Sequence, residues 1–221
     1  MFSKARLEAL SDGVFAIVLT LLVIEIRVPE HLLEDINHFS ESELIHSLQD
    51  LIPLFLSFFL SFAVLTTVWI THHFLFTIMA KNSSRILQYL NFLMLAFVSL
   101  VPFSSNLLGT FPFSQTAITF YSANILLITC CTFIIREYII RSKEIENPEP
   151  HETKINKKDR LYGSARIFIS ASTSILAVLI SFFSTTVSII LLLTPVVINL
   201  IPGSLAYIMR VTKLDRLADK L

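Results

Sequence analysis

Fifty consecutive residues, Ile86 to Ile135, contain no Asp, Glu, Lys, Arg or His. Leu51 to Thr71 and Ile167 to Met209 are equally free of them. About 20 apolar residues of helix cross a bilayer, so these runs read as membrane helices. The two longest exceed one span, and each is punctuated near its middle: Gly109-Thr110-Phe111-Pro112 in one, Ser184-Thr185-Thr186 in the other. With a first span near the start, the sequence predicts six helices close to 3–27, 50–73, 84–109, 116–141, 162–183 and 186–210. Composition agrees: only 15% of residues are charged, against about a quarter in an average soluble domain. The expected fold is all-α, a polytopic membrane protein formed by a single six-helix domain over 1–221.

Charge sets the orientation. Of the 17 Lys and Arg residues, all but Arg27 fall on one side of these spans. The positive-inside rule makes that side, and with it both termini, cytoplasmic. Glu25 to Asp50 carries seven acidic residues on the other side. They form either a plain solvated loop or, near a pore mouth, a means of concentrating cations. Ser40 and Glu43 have capping-box spacing ahead of Pro53, which predicts a short helix leading into the second span. Residues 142–160 mix both charges around Pro148 and Pro150 and read as a cytoplasmic linker. The first apolar stretch lacks a small-residue cleavage pattern, so no cleavable signal peptide is expected. Cys130 and Cys131 are adjacent inside a span and offer neither a disulfide framework nor a zinc spacing.

The first span has a polar inner end. Gly13 to Ile24 is too short to cross alone, so the helix extends into its flanks, and a helix from Ser3 to Arg27 is about 37 Å long. Ser11 and Asp12 then lie below the membrane surface, where an ionisable group faces protein or water. At about 100° per residue Ile17, Leu21 and Ile24 share one stripe with Leu10 and Gly13, and Thr20 lies at its edge. Asp12 points roughly 150° away from it. The stripe alone does not separate a packing seam from a pore wall.

Trp69, His72 and His73 close the second span at about the depth of Ser11 and Asp12, so the two ends can meet. The adjacent histidines suit an interhelical hydrogen-bond network or interfacial anchoring better than a metal, because neighbours on a helix diverge by about 100°. No metal or cofactor is expected. Gln88 and Asn91 on the third span are further network candidates, while Pro195, Asn199 and Pro202-Gly203 suggest a kink.

Arg6-x-x-x-Leu10-Ser11-Asp12, followed by the Ile17/Leu21/Ile24 stripe, resembles the Arg-x-x-x-Phe-Ser-Asp signature of the endolysosomal potassium-channel family and its prokaryotic homologues. The Trp69-x-x-His72-His73 end of span two is similar to that family's as well. Leu10 departs from the pattern by replacing Phe, which keeps apolarity but not aromatic packing. The resemblance implies a potassium-permeable channel, a homotetramer in which span one lines a central pore through the lipid bilayer. Ile17, Leu21 and Ile24 would form stacked apolar rings with Thr20 beside them. Arg6, Ser11 and Asp12 would tie span one to Trp69 and His72 or His73, with a prokaryotic cell membrane as location.

The chain has four glycines and no Thr-Val-Gly-Tyr-Gly filter. Modest potassium selectivity would have to arise from a narrow apolar ring that favours the more easily dehydrated ion. The competing class is a proton-coupled secondary transporter with Asp12 and His72 as relay groups, although span four shows no repeat of Arg6 to Asp12. An enzyme is not expected, since no His-Glu-x-x-His or nucleophile-base pattern occurs, and nothing points to nucleic acid.

Overall fold

A computed structural model describes residues 3–29, 40–146 and 157–200, and among them every regular element is helical. α1 spans Lys4–Ile24, α2 Glu41–Asp50, α3 Ile52–His73 and α4 Arg85–Ser99. α5 spans Val101–Thr110, α6 Gln115–Arg141, α7 Lys157–Ser181 and α8 Thr185–Leu200. Four stretches are long and apolar enough to cross a membrane: Lys4–Ile24, Ile52–Thr77, Arg85–Thr110 and Gln115–Arg141. α7 and α8 add the shorter apolar segments Ile167–Ser181 and Thr185–Ile198. The end of the sixth expected span, Pro202-Gly203, the side chain of Asn199 and residues 147–156 of the expected linker lie outside the described residues.

Serines open four of these helices. The hydroxyls of Ser3, Ser40, Ser84 and Ser114 accept from the N–H groups of Arg6, Glu43, Leu87 and Ala117. Each satisfies one otherwise orphaned donor, a contribution of about 1 kcal/mol. Ser40 and Glu43 complete the reciprocal capping box at the start of α2.

Prolines account for two breaks. Leu51 and Leu100 both adopt φ −83° and ψ −8°, each two residues before a proline, Pro53 and Pro102. Proline cannot donate to the carbonyl four residues back, but it is tolerated in a first turn. The third span is therefore two helices meeting at Leu100, where the sequence reading had one. The second span, expected to end at His73, continues as a π-helical segment, Phe74–Met79.

α1 packs on α3, α4 and α5; α6 packs on α4, α5 and α7; and α8 pairs with α7 and reaches back to α3. The core between them is built from Leu7, Phe15, Val18 and Leu22 of α1, Leu60 and Leu65 of α3, Leu87 and Met94 of α4, and Tyr121, Ile128 and Ile135 of α6. At one end, Lys4 Nζ donates to the Thr77 carbonyl at 3.4 Å. Lys81 N–H donates to the Glu146 carbonyl at 2.8 Å, and Asn82 Nδ2 donates to that of Glu144 at 2.9 Å. The start of α1, the α3–α4 loop and the segment after α6 are thereby linked through the end of the second span.

α5 approaches α3 through Gly109. A Cβ there would meet Ser57 Oγ, and would lie 2.9 Å from Leu54 Cα, which is backbone and cannot swing aside. Gly109→Ala should therefore lower stability by about 1–3 kcal/mol, although alanine is the better helix former by about 1 kcal/mol. A thermal unfolding midpoint in detergent that rises in the variant would contradict this contact.

Candidate functional site

Three faces of α1 have three different surroundings. Leu7, Ser11, Phe15, Val18 and Leu22 recur at helical spacing and are buried, making the seam that holds α1 on the bundle. About a third of a turn away, Ile17, Leu21 and Ile24 are 60%, 40% and 57% exposed. Leu10, Gly13 and Thr20 share that exposure, and a Cβ at Gly13 would meet nothing within 4 Å. Thr20 Oγ1 donates to the Ile17 carbonyl at 2.8 Å, leaving its lone pairs outward. The third face carries Glu8 and Asp12 towards α3.

The buried seam contains a polar chain whose direction can be followed from the backbone. Ser11 Oγ donates to the Leu7 carbonyl at 2.9 Å. Its lone pair then accepts from Asn91 Nδ2, also at 2.9 Å. That fixes the amide with Oδ1 towards His72, 2.8 Å from Nε2. Nε2 is therefore the protonated ring nitrogen, an assignment that follows from the network. Phe76 stacks on the imidazole at 4.2 Å between centroids, and the Phe15 ring lies tilted to it at 5.9 Å. His72, Asn91 and Ser11 are each at most 2% exposed, so α1, α3 and α4 are joined by bonds that water does not replace.

A second set of contacts lies nearer the surface. Trp69 Nε1 donates to Asp12 Oδ1 at 2.8 Å. Thr77 Oγ1 donates to Glu8 Oε1 at 2.9 Å, and lies 3.3 Å from His73 Nδ1. Lys4 Nζ is 3.8 Å from Glu8. Sequence reasoning missed Lys4, Glu8 and Thr77. The signal was present: Lys4, Glu8 and Asp12 recur every four residues, which aligns them on one helix face.

Asp12, Ser11, Trp69, His72 and Asn91 thus meet, and His73 touches their outer edge through Thr77. Arg6 does not: its side chain is exposed and forms no hydrogen bond or ion pair among the described residues. Gln88 donates instead to Ser83 Oγ at 3.1 Å. Leu10, 45% exposed, points outward on the stripe. Among the described residues no three His, Cys, Asp or Glu side chains come together as a metal site. Cys130 and Cys131 are free thiols.

A family model described as endosomal/lysosomal potassium channel TMEM175 matches residues 6–102, which carry both polar span ends. A potassium channel of Chryseobacterium sp. (strain P1-3) is 31% identical over 82% of this chain and 84% of its own length. The chain belongs to the TMEM175 family. The crystal structure of a lysosomal potassium-selective TMEM175 homologue from Chamaesiphon minutus covers 88% of this chain and 94% of its own, with a TM-score of 0.69 at 29% identity. The human endosomal/lysosomal proton channel TMEM175 is 41% identical over 45% of this chain, a match that takes in only 20% of the human protein. Membership in this family, with four long apolar helices, makes the chain a multi-pass membrane protein of an ion-channel class.

Proposed function

We propose that this chain forms a potassium-permeable cation channel whose pore is lined by α1. The observation that carries the reading is the division of α1 into two apolar stripes. One is consumed in packing, and the other, Ile17, Leu21 and Ile24, is left 40–60% exposed among the described residues. Lipid would accept such a face, but the same stripe lies where the family signature is most specific. A pore lined by one helix per chain needs several chains around an axis, and four of these protomers, as a homotetramer, would bring the stripes together as stacked rings. Thr20 would add a layer of hydroxyl oxygens between those of Ile17 and Leu21.

All six expected spans then cross the membrane, with the linked α1 start, α3–α4 loop and 142–146 segment inside. Lys4, Arg6, Lys81, Arg85, Arg141 and Lys143 gather at that end, which supports a cytoplasmic orientation for both termini in a prokaryotic cell membrane. Glu41, Glu43 and Asp50 of α2 stand on the other side, where they would attract cations. Arg6, unpaired within the protomer among the described residues, is placed to act between chains.

The test is the reversal potential of purified protein in a planar bilayer under a potassium/sodium gradient. A potassium-favouring potential is expected. Absence of current together with pH-driven solute uptake into liposomes would transfer the reading to a proton-coupled carrier.

A further inference from the structure

The bundle contains a second polar region, to which α1 contributes nothing. Between α3, α6, α7 and α8 lies a cavity of about 30 Å³, whose wall includes Thr67, Tyr121, Thr129, Ser170, Ser174 and Pro195. A neighbouring space of similar size shares Thr67, Thr129 and Ser170 with it and extends to Thr71 and Thr132.

Most of these hydroxyls commit their single proton to their own helix. Thr67 donates to the Ala63 carbonyl at 3.0 Å, Thr129 to that of Ile125 at 2.8 Å and Ser174 to that of Ser170 at 2.9 Å. Thr71 and Thr132 do the same to Thr67 and Ile128, both at 2.8 Å. The Tyr121 phenol lies 3.2 Å from Ser61 Oγ. Ser105 donates to the Ser57 carbonyl, and Ser61, whose proton serves Ser105, is also the donor towards the phenol oxygen. Each oxygen keeps lone pairs, and the wall is rich in acceptors and poor in donors. Ser170 and Tyr121 are the exceptions, since neither hydroxyl donates to any of the described residues.

Pro195, on the cavity wall, leaves a carbonyl of α8 without its helical donor. It lies inside α8 and has no N–H, so the Leu191 carbonyl loses its helical donor. In membrane helices such carbonyls are satisfied by neighbouring hydroxyls or ordered water, and the hydroxyls here are largely committed. Neither wall contains a carboxylate that could offset a buried cation. The ligand that fits is a small neutral donor.

We propose that this space is a water site built into each chain, off the α1 face and independent of the channel reading. One water needs roughly 10–15 Å³ measured this way, so the cavity takes about two. They donate to Thr67, Thr129 and Ser174, and accept from Ser170.

Millisecond X-ray radiolysis oxidises side chains next to bound water, so the full chain in lipid nanodiscs provides the test. Tyr121 is 0% exposed, as is Phe76, while Phe15 is 1% exposed, and neither phenylalanine lines the cavity. Tyr121 should be oxidised about tenfold faster than either, as expected of a residue beside ordered water. A Thr129→Val/Ser174→Ala variant that elutes as the parent should lose most of that excess; if it fails to fold, Ser174→Ala alone serves. Tyr121 labelling no faster than Phe15 and Phe76 overturns the proposal, and so does an excess that persists undiminished in the folded variant.

Discussion

Asn91→Leu should cost about 1–3 kcal/mol of stability, because it strands a buried His72 N–H and removes the bond accepted by Ser11. The range is wide for a reason. Hydrogen bonds between membrane helices average only about 0.6 kcal/mol in double-mutant cycles, since chains unfolded within the bilayer find other partners. Here one amide serves two bonds at full burial, and its imidazole partner is in contact with the Phe15 and Phe76 rings. The upper part of the range is therefore expected. His72→Leu should cost a similar amount, but the double variant should cost clearly less than the sum, because each single change orphans the other's partner. Additivity within about 0.5 kcal/mol, measured by unfolding in detergent, would mean that the two side chains do not act together.

The polar ends of the spans were legible in the sequence because a carboxylate, an amide or an imidazole in a membrane run requires a partner. Asp12, His72 and Asn91 could be singled out on that ground, with Ser11 and Trp69 at the same depth beside them. Which pairs form was not legible. Asn91 rather than Gln88 reaches Ser11 and His72, and His72 rather than His73 occupies the interior, because of helix rotation, and one residue changes that by about 100°. The Leu7-Phe15-Val18-Leu22 seam was hidden for a different reason. Lipid is as apolar as protein, so a packing stripe and an outward stripe have the same composition. The break at Leu100 was written in Pro102, whereas the π-helical extension to Met79 had no comparable mark. Thr77 reaches Glu8 only because the helix continues past His73, where the adjacent polar residues suggested an end.

Substituting asparagine along α1 should separate the two stripes by kind of effect rather than by degree. Leu22→Asn and Val18→Asn place an amide in the packed seam, where an unsatisfied polar group costs about 1–3 kcal/mol on top of lost packing; folded protein should be reduced or absent. Leu21→Asn, one residue away, should fold as the parent does. If the outward stripe lines the pore, each such change alters every chain of the oligomer at once. A ring of amides replaces an apolar constriction that excludes water and supplies oxygens in place of the hydration shell. Conductance should rise several-fold, and the potassium-favouring reversal potential should fall towards zero, with the largest change at whichever of Ile17, Leu21 or Ile24 forms the narrowest ring. Thr20 sharpens the comparison, because its oxygens already face that stripe, so Thr20→Asn should change the current less than Ile17→Asn. Parent-like conductance and reversal potential in all three of Ile17→Asn, Leu21→Asn and Ile24→Asn would remove α1 from the conduction path and leave its outward stripe as a surface for lipid.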